Sequence, residues 1–230
     1  MEHWVYTTSI LGHNVSFNLD TLITMWLSML ILIVLALCTT RKLTMVPGKL
    51  QLIGENIVKY FNGIAKSSMG NDEAQKHIAI ILTLFMFILT ANLVGQLPWK
   101  LIHLHTGELA SPNNDINMTA AMAIVVSIYY IFYGVKRNGF KFFFKGFSLD
   151  GIIITLVDTL ELFVRPFSLA LRLFANIFAG EVLVATILSL AAVAFPLPFM
   201  LFELFVALIQ ALVFTLLSTT YISMAVKEEG

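Results

Sequence analysis

Apolar residues run along this chain in long blocks, not in short alternating stretches. The first block covers 22–40 and is closed by Arg41 and Lys42. Two more follow at 77–98, near the end of which stand Asn92, Leu93 and Pro98, and at 118–136, closed by Lys136 and Arg137. Two longer blocks, 149–190 and 198–227, are separated by Phe195-Pro196-Leu197-Pro198, where proline interrupts a helix. A hydrocarbon core about 30 Å thick takes roughly 20 helical residues. Each block therefore predicts a membrane helix, and the fourth is long enough to tilt. Residues 48–69 obey a different rule. Leu50, Ile53, Ile57, Phe61 and Ile64 recur every three or four positions, while Lys49, Glu55, Lys59 and Lys66 take the other faces. That is an amphipathic helix, lying along the membrane surface or against a partner. The expectation is an all-α membrane protein, one membrane domain over 1–230. It has about five membrane helices plus one amphipathic surface helix, the last two membrane helices forming a long hairpin.

Composition removes most other classes. The hydrophobic fraction is 58%, the charged fraction 12% and the mean hydropathy +0.87; a soluble domain carries about twice that share of charge. Lys plus Arg and Asp plus Glu are both 14, and no basic run with interleaved aromatics exists, so no nucleic-acid partner is expected. Cys38 is the single cysteine and lies in an apolar block, which excludes a disulfide framework or a CxxC site. There is no GxSxG, HExxH, P-loop or dinucleotide fingerprint. The chain reads as a non-enzyme without cofactor or metal, His103 and His105 being solvated loop residues. Glu2 and His3 stand where a leader would be basic, and the first block begins only near Leu22, so that block is expected to stay as a span.

Charge also sets the orientation. Arg41, Lys42, Lys49, Lys59, Lys66 and Lys76 fall between the first two spans. Lys136, Arg137, Lys141 and Lys145 follow the third, Lys227 ends the last, and the 99–117 loop holds Lys100 alone. With basic loops inside, the N-terminus is outside and the C-terminus cytoplasmic. The absence of an internal repeat argues against an inverted-repeat transporter.

Two cations sit within the fourth block, Arg165 and Arg172. A charge at membrane depth costs at least about 2.5 kcal/mol, so each needs a partner or a function. Asp158, Glu161, Arg165, Ser168, Arg172 and Asn176 follow one another by three or four residues and draw one polar stripe on a helix. Arg165 has Glu161 one turn before it, so local pairing can neutralise it. Arg172 has no acid within a turn, and a guanidinium does not lose its proton. Its counter-charge comes from elsewhere in the chain or from another subunit. In the last block Glu203 and Gln210 share a face, and a hairpin brings Glu203 toward Glu181. Two such acids are a candidate proton relay or a hydrated pair at the outer surface.

Leu171, Arg172, Leu173, Phe174, Ala175, Asn176, Gly180 and Glu181 resemble the signature of subunit a of bacterial F-type ATP synthases. Arg165-Pro166, Asn92-Leu93 with Pro98, Pro112 with Asp115, Asn117 and Thr119, Ile209-Gln210-Ala211 with Phe214, and the 221–225 ending also match that family. Ala175 stands where the family usually has glycine, Gly95 where some relatives carry an acid, and Glu203 where others have histidine. The resemblance implies a non-catalytic stator subunit in the cell membrane, against a ring of c subunits and beside the subunit b stalk and other synthase subunits. Two half-channels would carry H+ or Na+, with Arg172 the fixed cation between them. Asn176, Glu181, Glu203 and Gln210 would serve ion translocation, and Asp158, Glu161 and Arg165 would lie at the inner half-channel. A secondary ion transporter, or a scaffold whose stripe is interhelical glue, are the alternatives.

Overall fold

The computed structural model describes residues 5–10, 13–41, 44, 47–96, 111–139, 149–190 and 197–226. Six α-helices stand among them: α1 Leu19–Thr40, α2 Lys49–Met69, α3 Asn71–Gly95, α4 Ile116–Asn138, α5 Leu149–Leu190 and α6 Leu197–Val226. All but α2 contain a stretch long and apolar enough to cross a membrane. At about 1.5 Å per residue, α5 extends roughly 63 Å, twice the hydrocarbon thickness. Pro166 lies inside α5 and the helix runs through it; the ring removes one backbone donor, which a membrane helix tolerates where neighbours cover the freed carbonyl. Pro198 falls in the first turn of α6, where its missing N–H has no intrahelical partner to lose. Pro196 lies outside the described residues.

One element departs from the all-helical pattern. Val5–Ile10 (β1) and His13–Asn18 (β2) pair antiparallel, with Val5 opposite Asn18 and Ile10 opposite His13. β-Branched Val5, Thr7, Thr8, Ile10 and Val15 suit the strands, and so short a ladder leaves no trace in a pattern of long apolar blocks. The hairpin leads directly into α1.

In α1 burial runs opposite to that of a soluble bundle. Helix α1 buries Thr21, Thr24 and Ser28 and exposes Trp26, Leu30 and Leu37. The buried hydroxyls are satisfied by their own helix: Thr24 donates to the Asp20 carbonyl at 3.0 Å and Ser28 to that of Thr24 at 2.8 Å. Helix α6 repeats this, burying Thr215, Ser218 and Thr219 while exposing Leu201, Phe202 and Phe205. Small residues on the inner faces let helices approach, and lipid tolerates the apolar outer faces.

Helix α2 divides its apolar face. Phe61, Ala65 and Met69 are buried against α3, with the Phe61 ring centroid 4.6 Å from that of Phe85 and the planes tilted by 47°, whereas Leu50 and Ile53 nearer its start are exposed. Helices α3 and α4 then pack against α6, and α4 against α5. Several side-chain bonds to backbone hold α6, one about a third of the way along it and two at its C-terminal end. Asn92 donates to the Ala207 carbonyl at 3.1 Å, Ser223 to that of Ser68 at 2.6 Å and Asn138 to that of Ala225 at 3.5 Å. A 3-10 turn at Pro112–Asn114 precedes α4, whose N-cap Asp115 accepts from Asn117 N at 2.9 Å. This turn, the hairpin, the end of α3 and the junction of α5 with α6 mark one end of the bundle. Arg41, α2, Lys136 and Arg137 mark the basic end.

Candidate functional site

The polar stripe of α5 is best followed from the basic end. The backbone of Asp158 lies within α5, but its side chain is outside the described residues. Glu161 and Arg165 form an ion pair across one turn. The Arg165 guanidinium also lies 5.0 Å over the ring of Tyr221 on α6, a cation–π contact. Arg165 is thus compensated inside the chain, by an acid and an aromatic face.

Two turns further, just past the middle of α5, Arg172 is exposed. Among the described residues it makes no ion pair or hydrogen bond. The same helix exposes Phe163, Phe167 and Phe178, and α6 exposes Phe202 and Phe205. A permanent charge on so apolar a surface requires water or an anion beside it once that surface is at membrane depth.

Asn176, one turn beyond Arg172, donates through Nδ2 to Gln210 Oε1 at 3.3 Å. Gln210 is only 4% exposed, and its Nε2 has no hydrogen-bond partner among the described residues. Gln210 and Arg172 show no direct bond among the described residues. The amide pair joins α5 to α6 close to the arginine and leaves its charge untouched.

Toward the hairpin end the stripe meets two carboxylates. Glu181 is half-buried; its Oε1 accepts from Ser111 N at 3.2 Å and its Oε2 from Asn114 Nδ2 at 2.6 Å. Glu203 crosses from α6 onto the backbone of Gly180. A Cβ built on that glycine would stand 3.1 Å from Glu203 Cγ and closer still to its carboxylate. A side chain at this position would push the Glu203 carboxylate away from the helix. Because Gly180 adjoins Glu181, the two acids occupy one neighbourhood across the α5–α6 junction. Gly95 plays the same part for the turn: a Cβ there would lie 3.0 Å from Ser111 Cα and closer to its hydroxyl.

Behind the turn lies a buried amide pair. Asn113 Nδ2 donates to Asn92 Oδ1 at 2.6 Å, and both residues are fully buried. Sequence reasoning did not bring Asn92, Ser111, Asn113 or Asn114 to the acids. The signals were an asparagine within an apolar span, which demands a polar partner, and the Ser-Pro-Asn-Asn-Asp run of a tight turn.

The basic end carries a separate cluster. Glu73 bonds Lys76 at 2.8 Å and Arg137 at 2.7 Å, and buried His77 places Nδ1 2.8 Å from the Tyr129 hydroxyl. These contacts lock α3 to α4. Among the described residues no group of three His, Cys, Asp or Glu is placed to hold a metal ion; His103 and His105 lie outside them.

Comparison with known proteins sets this arrangement among relatives. The sequence profile of the family described as ATP synthase A chain matches residues 22–223. The chain is also similar to ATP synthase subunit a of Gloeobacter violaceus, 41% identical over 209 residues, which cover 91% of this chain and 84% of that protein.

Proposed function

The chain belongs to the ATP synthase A chain family, a non-catalytic, multi-pass membrane stator subunit mediating proton translocation, and from that premise we propose that Arg172 is the fixed charge against which the ring turns. The carrying observation is the exposed Arg172 guanidinium, with no ion pair or hydrogen bond among the described residues, on an apolar face of α5. Such a face suits a rotor whose subunits each bring one membrane carboxylate. The arginine favours the ionised carboxylate in front of it and repels a bare cation that would pass without riding the ring. The c-ring thus occupies the exposed α5–α6 surface, and subunit b docks elsewhere on this single membrane domain.

The stripe then divides into two access paths. Asp158, Glu161 and Arg165 line the inner one, while Glu181 and Glu203 carry protons in the outer one. Asn176 and Gln210 hold the interhelical gap beside Arg172. Lys and Arg placement sets the direction: the N-terminal hairpin is outside, and the basic end, with α2, faces the cytoplasm of a bacterial cell. Water reaches the carboxylates where amides and hydroxyls, not leucines, meet them.

Arg172→Ala tests the reading. The variant should assemble with its partners and lose ATP-driven pumping in inside-out vesicles. A scaffold would keep its pumping, and a secondary transporter would move ions in vesicles lacking the ring; either result overturns the proposal.

A further inference from the structure

We infer that Asn114 is a positioning residue for proton transfer at Glu181, holding that carboxyl group in one place through both of its protonation states. The inference rests on the reading of Glu181 as a proton carrier. Its basis is the pairing of Asn114 Nδ2 with Glu181 Oε2 at 2.6 Å and of Ser111 N with Oε1 at 3.2 Å. The two donors span both carboxylate oxygens. They differ in what they can do next. A backbone N–H only donates, so it serves the charged form. A carboxamide carries a donor and an acceptor on one planar group. With Nδ2 forward Asn114 donates to the carboxylate; with Oδ1 forward it accepts from the carboxylic acid. An amide at this position offers the protonated and ionised side chains equal anchorage. The acid then cycles between charge states without swinging away from its neighbours.

The platform under Asn114 is braced independently of Glu181. Asn113 is bonded to Asn92 on α3, which reaches the Ala207 carbonyl on α6. Asn18 Nδ2 donates to Asp115 Oδ2 at 2.7 Å, tying the same turn to the start of α1. Gly95 leaves the room that Ser111 occupies. Removing the Asn114 side chain takes away a contact to the acid and leaves the turn its other ties.

The test measures ATP-driven pumping by the assembled complex in inside-out vesicles for Asn114→Ala, Asn114→Asp, Glu181→Gln and the double variant Asn114→Ala/Glu181→Gln. Asn114→Ala should slow pumping roughly tenfold, the scale of one hydrogen bond to a charged group, and displace the pH profile by about one unit. A merely structural loss would lower the plateau and leave the profile in place. Asn114→Asp keeps the shape but sets a carboxylate against a carboxylate. It should be at least as slow, and it carries the comparison if the alanine variant fails to assemble. The double variant should be no slower than Glu181→Gln alone. Parental pumping by Glu181→Gln would overturn the reading of Glu181 itself. A slow Glu181→Gln beside parental Asn114→Ala and Asn114→Asp would overturn the positioning role alone, as would additive losses in the double variant.

Discussion

Arg165 and Arg172 share a helix, an apolar setting and a face, yet their surroundings differ. Around Arg165 the chain supplies Glu161 one turn back and the Tyr221 ring across the α5–α6 contact. Around Arg172 the described residues supply neither, and the nearest polar groups along the stripe are neutral Ser168 and Asn176. The cost of placing a guanidinium in a membrane is similar at both sites. One site meets that cost among the described residues, and the other does not. On the proposed reading the first is an element of structure and the second a receptor for a charge that comes and goes.

The sharpest way to break this contrast is a pair of matched substitutions. Arg172→Lys should reduce ATP-driven pumping to background, because lysine keeps a charge but loses the planar fork and its reach. Arg165→Lys should leave a large share of the activity, since an ammonium can still pair with Glu161 and sit over Tyr221. Equal pumping in vesicles with equal assembly would show the central charge wrongly assigned. Replacing Glu181 and Glu203 together by glutamine comes next. It should slow pumping on the order of a hundredfold, the scale of a lost proton-transfer group, with the complex intact on blotting. Undiminished rates would end the relay. The smallest effect belongs to Tyr221→Leu. Loss of one cation–π contact, worth about 0.5–2 kcal/mol, should lower thermal stability in detergent slightly and leave pumping within roughly twofold. A collapse of pumping would mean that Arg165 needs more from its partner than neutralisation.

Much of this molecule is written in its hydrophobic pattern. Blocks of apolar residues fix where helices stand, because a membrane leaves the backbone few other ways to satisfy itself. Periodicity alone separated α2 from the spans, and i to i+4 spacing alone gave the Glu161–Arg165 pair. What stayed hidden needed long-range contacts. Asn113 and Asn92, and Asn114 and Glu181, lie far apart in sequence and meet only after α3, the turn and α5 have packed. The N-terminal hairpin escaped for another reason: its strands are six residues each, shorter than the window in which apolar blocks announce themselves. The contact of Glu203 with Gly180 was legible in part, since a hairpin of two long helices brings them together. Which glycine the carboxylate would cover was not, for a missing side chain leaves no pattern.

The bonds that hold α6 at two separated points have a mechanical meaning. If the ring turns against α5 and α6 as proposed, it drags sideways on both helices at every step. Resistance to that drag cannot come from apolar contact alone, since greasy surfaces slide. Asn92 gripping the Ala207 carbonyl about a third of the way along α6, and Ser223 and Asn138 tying its C-terminal end to α2 and α4, act as pins at two separated points. Two pins prevent rotation as well as translation. On that reading torque on the α5–α6 face passes through α6 into α2, α3 and α4, and the far side of the subunit becomes the abutment against which the motor pushes.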